Sequence, residues 1–335
     1  MTTRTYIIEM QRLDSGHGTP CPYSDNAGAF GTHLPYPVFL YLSDFVWHNS
    51  SVTAFTSSDP WVILSPIEQS IKRKIEAAGT PLKDWDISIY RGVLTGCNEA
   101  FIISTEKRDE ILANCRDEDE RKRTEELIRP ILRGRDIRRY SYDWAGLWLI
   151  NTHNGIRGKI DRIHIEDYPA VKAHLDQFWD KIKDRTDQGE TPYNLRNCAY
   201  LEDFFKPKIM YPNMTKFLPF YYDELGFYQN DKSFMITGEC IAFLTAFFNS
   251  SLFKYCYIDN FPELQGGTRE LRKIFFDKIP VIQVSSDVND KFKQLLRQIQ
   301  DAPDNKEISA LIEKRISEIY DLTPTEIETV SSMKI

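Results

Sequence analysis

The hydrophobic pattern changes period along this chain, and that change constrains the fold more than any single motif does. Ser65-Pro66-Ile67-Glu68 opens a helix. Serine at the N-cap, proline in the first turn and glutamate three residues on form a capping box, and Ile67, Ile71 and Ile75 then share a face until Gly79. A strand-like run from Ile87 to Arg91 passes through a glycine-flanked turn, 92–96, into a second run from Ala100 to Ser104. The charged stretch 106–128 reads as helical, and Leu147 to Ile150 as a buried strand. Val171, Leu175, Phe178, Trp179 and Ile182 read as one amphipathic helix, and 208–237 as two or three short aromatic-rich strands. The last fifth is purely helical in period. Phe292, Leu295, Leu296 and Ile299 suit one helix, Ile308 to Tyr320 a second, and Thr323-Pro324-Thr325-Glu326 caps a third. The expected fold class is α+β: a domain on a mixed or antiparallel sheet over 61–284, then a small C-terminal helical region over 285–335. Residues 1–60 read as an irregular N-terminal extension.

Composition narrows the class. With 41% hydrophobic and 13% aromatic residues the chain can build a sizeable core. Cys21, Cys97, Cys115, Cys198, Cys240 and Cys256 follow no repeated short spacing, which suits reduced thiols in a cytoplasmic protein. The N-terminus has no signal-peptide pattern, and the longest strongly apolar run, Ile241 to Phe248, is too short to span a membrane. The net charge of −7 argues against nucleic-acid binding through bulk charge, but the charge is unevenly placed. Arg121, Lys122, Arg123, Arg129, Arg133, Arg135, Arg138 and Arg139 crowd one stretch, and Lys206, Lys208 and Lys216 another. Such patches bind DNA only if they lie on one face.

Catalytic signatures are missing. No glycine-rich loop follows a first strand, no Asn-Pro-Pro-Tyr type loop occurs, and no phosphate-binding P-loop is present. His17, Cys21 and His33 match no zinc spacing. Glu120 and Lys122 have the letters of a nuclease acid-x-lysine, yet they sit in a charge-dense helical stretch whose simpler reading is a solvated face.

Four segments carry a resemblance. The first runs from Lys74 through Trp85 into Tyr90 to Phe101; the second is Arg129-Pro130-Ile131-Leu132-Arg133-Gly134-Arg135-Asp136-Ile137-Arg138-Arg139-Tyr140, followed by the strand Leu147-Trp148-Leu149-Ile150. The third joins Leu195-Arg196 and Cys198-Ala199-Tyr200 to Phe205-Lys206-Pro207-Lys208-Ile209-Met210-Tyr211-Pro212. The fourth combines Phe248-Asn249-Ser250, Ile279-Pro280 and the tail from Ile319 to Glu326. In this order they resemble the TaqI-like C-terminal specificity domain of single-chain type IIG restriction–modification enzymes, over about 60–330. The resemblance implies a non-catalytic module that recognises double-stranded DNA and serves an adenine-specific methyltransferase, as a domain or a subunit. S-adenosylmethionine and Mg2+ are then expected only in the catalytic partner, and the chain is expected to be either a free-standing specificity protein or a fragment. A rival reading is a protein-interaction module of a bacterial defence complex that has lost DNA reading.

Residue chemistry supplies the candidate contacts. Thr95 and Asn98 flank a turn that could approach a phosphate through backbone N–H groups, or be an ordinary β-turn. Arg133, Arg135, Arg138 and Arg139 suit phosphate or guanine, or ion pairs that pin neighbouring elements; on a strand, Arg133, Arg135 and Arg139 would share a face. Lys206, Lys208 and Lys216 are interleaved with aromatics, about half of which should be core, and Asn213, Thr215 and Lys216 occupy a connecting turn. Gln265, Thr268 and Arg269, with Arg272 close behind, form a loop with the side chains that read adenine and guanine edges, or a plain solvent loop. The C-terminal helices either meet a partner domain or cap the same core.

Overall fold

The helix expected after Ser65 spans Pro66–Ala78 (α1) in the computed structural model, which describes residues 64–332. Its capping box is formed: the Glu68 N–H donates to Ser65 Oγ at 3.3 Å and the Ser65 N–H to Glu68 Oε2 at 2.7 Å. The chain divides into two units after Arg73, within α1, and every element beyond α1 belongs to the second. The irregular extension expected over 1–60, with the His17, Cys21 and His33 trio, lies outside the described residues.

The chain continues through β1 (Gly79–Pro81), β2 (Ile87–Arg91), α2 (Asn98–Phe101), β3 (Ile102–Ser104), α3 (Thr105–Ala113), α4 (Glu118–Leu127), β4 (Ile128–Leu132) and β5 (Leu147–Ile150). Next come α5 (Pro169–Asp176), α6 (Trp179–Ile182), β6 (Lys208–Pro212), β7 (Met214–Thr215), β8 (Tyr221–Asp223), β9 (Tyr228–Gln229) and β10 (Ser233–Gly238). The remainder is α7 (Ile241–Phe248), α8 (Ser251–Tyr257), β11 (Arg269–Glu270), α9 (Lys273–Phe276), β12 (Pro280–Ile282), α10 (Ser286–Asp301), α11 (Lys306–Ile319) and α12 (Pro324–Ser331).

Where local order departs from the sequence expectation, a backbone hydrogen bond accounts for it. Ala100 and Phe101 belong to a helical turn, since both donate to the Cys97 carbonyl, and the strand starts only at Ile102. Stretch 106–128 is two helices, because Asp117 accepts the Glu120 N–H at 2.7 Å and starts α4 afresh. The helix expected over 171–182 is broken where Phe178 N–H bonds Leu175 rather than continuing the α pattern. Residues 208–237 hold five short strands, interrupted by left-handed backbone at Leu218 (φ 46°) and Gly226 (φ 76°).

The strands form two four-stranded sheets, β2–β10–β6–β8, wholly antiparallel, and β3–β5–β4–β9, in which only the β4–β9 pair is parallel. Two antiparallel pairs, β1–β12 and β7–β11, complete the set. The architecture is thus α+β on mixed and antiparallel sheets with helices at the C-terminal end. One segment stitches the large sheets together, for the chain leaves β9 in one and four residues later enters β10 in the other. Within that crossing, Asn230 N–H donates to Leu132 O at 3.2 Å, Val93 N–H to Gln229 O at 2.7 Å and Gly92 N–H to Ser233 O at 3.0 Å.

Apolar burial follows the sheets. Phe101, Ile103, Ile131, Leu149, Val171, Leu175, Phe204 and Tyr228 make one core, and Leu132, Ile137, Met210, Tyr221 and Phe227 another. A third set of rings packs Phe220 against Phe248, Phe253 and Phe276, with α7 lying over β6, β8 and β10. Asn249, fully buried, accepts the Phe220 N–H at 3.1 Å and donates to the Phe220 carbonyl at 2.7 Å, while Ser250 caps α8. The Phe-Asn-Ser motif is therefore a structural clasp.

The C-terminal helices cap this core. α10 packs on α7, Gln300 Nε2 donates to Tyr222 O at 2.6 Å, and Arg297 and Lys293 hold Glu224. Among the described residues no single helix is long and apolar enough to cross a membrane, and every residue of α7 is buried in the fold. The five described cysteines, Cys97, Cys115, Cys198, Cys240 and Cys256, are free.

Burial holds both His153 and His174 below the ordinary histidine range. His174 Nε2 lies 3.0 Å from the Ala100 carbonyl, and its Nδ1 is buried with no partner among the described residues. In the unfolded chain each ring binds a proton near pH 6.5, which the folded protein resists. Their stabilising contribution is complete above that pH and is lost as pH falls through the lowered folded values. His174→Gln should flatten the fall in thermal midpoint as pH drops below about 6.5. An acid limb identical to wild type would exclude His174 as the titrating group.

Candidate nucleic-acid interface

Strand β6 is buried throughout, and where it emerges it gives rise to a short, half-buried ribbon on which Met214 is exposed. At its exit Asn213 donates its backbone N–H to Lys232 O at 2.9 Å and accepts the Leu271 N–H at 2.8 Å. Thr215 then pairs with Arg269, and Met214 with Glu270, to form the β7–β11 ribbon. This ribbon brings together Asn213, Thr215, Lys216, Arg269 and Arg272, with Gln265 and Thr268 in the loop that leads into it. Lys216 is exposed and has no partner among the described residues, and Arg272 is exposed beside Glu270 at 2.7 Å. The Asn213 Oδ1 atom is buried without a donor among the described residues. In the loop, Leu264 N–H donates to Thr268 O at 2.6 Å, and Gly266 and Gly267 take φ of 79° and 76°.

Arg269 turns inward. Its guanidinium donates to the carbonyls of Ile258 (2.9 Å) and Phe261 (2.8 Å) and pairs with Asp259 and Glu263, so it holds the 258–263 turn. Phe217, by contrast, is 70% exposed, whereas Tyr211, Phe220, Tyr221, Tyr222, Phe227 and Tyr228 are all buried. More of these aromatics are core than the half expected from sequence.

The arginine-rich segment adjoins the ribbon but does not form the strand face that sequence suggested. Residues Gly134–Asp136 form a 3-10 turn, with Gly134 seated so that an added Cβ would lie 2.7 Å from Lys232 O. Asp136 accepts the Arg133 backbone N–H at 2.8 Å and its Nη2 at 2.7 Å, and this bonding raises the Arg133 pKa. Arg138 pairs with Asp143 at 2.9 Å. Arg139 bridges to the Asn249 carbonyl and to Glu313 of α11. Of these four arginines, only Arg135 is both exposed and without a side-chain partner among the described residues. Three of the four arginines are thus ion-paired, and Arg139 alone of them reaches a distant element.

Two lysines depart further from a surface role. Lys208 is fully buried, and its Nζ bonds Asp223 at 2.5 Å and the Phe204 carbonyl at 2.7 Å. Burial draws its pKa down, although Asp223 pulls it up. Its expected DNA contact fails on burial alone: strand alternation cannot carry every residue of a fully covered strand to the surface. Lys206 is exposed but pairs with Asp203 at 2.7 Å, beside a cleft of about 550 Å3 that also holds Asp86 and Asp290. That cleft is not cationic.

Thr95 and Asn98 lie away from the ribbon, in the turn before α2. Thr95 is buried, its hydroxyl donates to Asn98 Oδ1 at 2.6 Å, and its carbonyl accepts from Arg185. Arg185, whose pKa burial draws down to about 10, also bonds the carbonyls of Asp187, Pro192 and Asn194 and sits 4.4 Å over the Phe101 ring. The β-turn reading describes this site. Arg185 does not stand out in the sequence; an arginine among Asp, Asn and Gly residues gives no periodic signal.

Glu120 is likewise structural. Burial would raise its pKa, yet N–H donors from Ala170 and Arg116 and the Arg116 side chain outweigh that and hold it low. Among the described residues there is no group of three or more His, Cys, Asp or Glu side chains placed to hold a metal ion.

Residues 129–281 match the TaqI-like C-terminal specificity domain. The span begins at Arg129 and contains the ribbon, both of its loops and the arginine-rich turn; the 74–101 segment and the 319–326 tail fall outside it. Among solved structures, the chain resembles the type IIL restriction–modification enzyme MmeI, determined in complex with DNA, with a TM-score of 0.52 and 11% identity over 76% of this chain and 37% of that one. It also aligns with the type IIG restriction endonuclease BpuSI, at a TM-score of 0.45 and 14% identity over 76% of this chain and 33% of that one. At such identity the likeness to MmeI concerns the fold. The chain spans about a third of the length of these enzymes.

Proposed function

Since residues 129–281 belong to the TaqI-like C-terminal specificity domain family, we propose that this chain reads a short double-stranded DNA sequence through the β7–β11 ribbon. It thereby places an adenine-specific methyltransferase, on the same chain or a separate subunit, over its target. The observation that carries the reading is the presence, inside the matched span, of exposed Lys216, Arg272 and Gln265 in the segments that lead into and out of one ribbon held by backbone pairing. Recognition loops on a rigid scaffold are where sequence reading is placed. The recognition unit is taken as 61–284, with 285–335 as its helical cap. Flipping of the adenine, S-adenosylmethionine and Mg2+ belong to the catalytic partner in this reading.

The contact set differs from the one sequence alone offers. Lys216, Arg272, Gln265, Asn213 and Arg135 are assigned to DNA, while Arg133, Arg139, Lys208 and Arg269 are assigned to holding the scaffold.

Selection of bound duplexes from a random pool tests the reading. A short motif should be enriched, with affinity falling about 10²–10³-fold between 50 and 200 mM salt if four to six phosphates are neutralised. Lys216→Ala should weaken binding across all sequences and reduce the salt slope by about one. Without enrichment or steep salt dependence, the protein-interaction reading takes its place.

A further inference from the structure

We propose that Phe217 is a wedge that enters between adjacent base pairs of the bound duplex and kinks it. The inference rests on the DNA-reading proposal above and adds a means by which the ribbon would deform its target.

Single exposed aromatics are ordinary on protein surfaces. This one is held out by its backbone. Its N–H donates to Thr215 Oγ1 at 3.1 Å, which closes a small turn. The next residue, Leu218, is 1% exposed and adopts φ 46°, a left-handed conformation that a leucine rarely takes. Phe220 then anchors the chain through its N–H to the buried Asn249 side chain. Leucine strain of this kind costs on the order of 1–3 kcal/mol and persists only where the surroundings enforce it. With Leu218 drawn into the core by that twist, Phe217 at 70% exposure has only solvent to face.

The chemistry around the ring fits a polyanion with stacked bases. Lys216 precedes Phe217 without a partner among the described residues, and Met214, 53% exposed, lies on the same ribbon opposite Glu270. Arg272 follows two residues beyond that strand position. Apolar side chains such as Phe and Met, flanked by cations that grip the phosphates, unstack a base step by insertion and bend the duplex. A protein partner could meet the same ring, and the duplex-bending measurement below separates the two.

The test uses the full chain and a duplex of about 30 base pairs labelled at both ends, either the enriched sequence or, without one, the random pool itself. Anisotropy reports binding and energy transfer reports the end-to-end distance. Wild type should shorten that distance in keeping with a kink of about 20–90°. Phe217→Ala should abolish the shortening and weaken binding about tenfold with the thermal midpoint unchanged, and Phe217→Trp should keep both. A duplex that is bound but stays straight, or bends equally with Phe217→Ala, overturns the wedge and leaves DNA reading standing. Failure to bind any duplex overturns both. Loss of methyltransferase association in Phe217→Ala, with duplex bending intact, overturns the wedge in favour of a protein-docking role.

Discussion

Asp223→Ala should cost about 3–5 kcal/mol of stability, because it leaves the Lys208 ammonium buried without its counter-charge. The carboxylate does more than pair. Its Oδ1 accepts the Leu225 N–H at 3.0 Å and its Oδ2 the Phe227 N–H at 3.0 Å, so it also shapes the turn between β8 and β9. Lys208→Met should therefore cost less, since those backbone donors still satisfy the remaining carboxylate in part. Urea unfolding of both variants and of the Lys208→Met, Asp223→Asn double variant separates the terms, and the double variant should be more stable than Asp223→Ala. A Lys208→Met protein with unchanged stability and weakened DNA binding would refute the buried assignment.

Gly92→Ala should be comparably damaging, about 3 kcal/mol or more, through overpacking where nothing can yield. The added methyl would lie 2.1 Å from the Asn230 carbonyl oxygen and 2.5 Å from that of Gln229. Both atoms are backbone, and the segment is fixed by pairing to Leu132 and Val93. Gly266→Ala is the control. It has open space around the new atom and φ of 79°, so its cost should be about 1 kcal/mol, the price of left-handed backbone. Equal losses at the two positions would mean that the junction between the sheets relaxes freely.

The elements legible in the sequence were those with a local cause. The capping boxes at Ser65 and Thr323 and the strands Ile87–Arg91 and Leu147–Ile150 lie where the pattern placed them. The C-terminal helices do too, but begin up to six residues before the first periodic apolar residue, at Ser286 and not at Phe292. What escaped depended on distant partners. No periodicity announces that Lys208 meets Asp223 across two strands, or that Arg139 reaches Glu313 on a helix far along the chain. For the candidate interface, residue type nominated the ribbon and its loops but could not sort cations facing water from those facing carbonyls. Arg269 and Lys216 look alike as letters; only tertiary packing makes the first a brace and leaves the second to solvent. Phe217 was hidden among buried aromatics, and its one local signal was the threonine two residues before it.

The ribbon is joined to the scaffold chiefly through its main chain: Asn213 to Lys232 and Leu271, and Met214 and Thr215 to their partners in β11. Main-chain pairing is indifferent to most side chains. Exchange of Met214, Lys216, Gln265 or Arg272 should therefore cost little folding free energy, whereas exchange of buried Lys208 or Asn249, or of the inward-turned Arg269, should cost more. Such a division of labour makes the protein evolvable at the surface it would use to choose a target. A lineage could drift from one preferred target to another through single codon changes, each intermediate still folded.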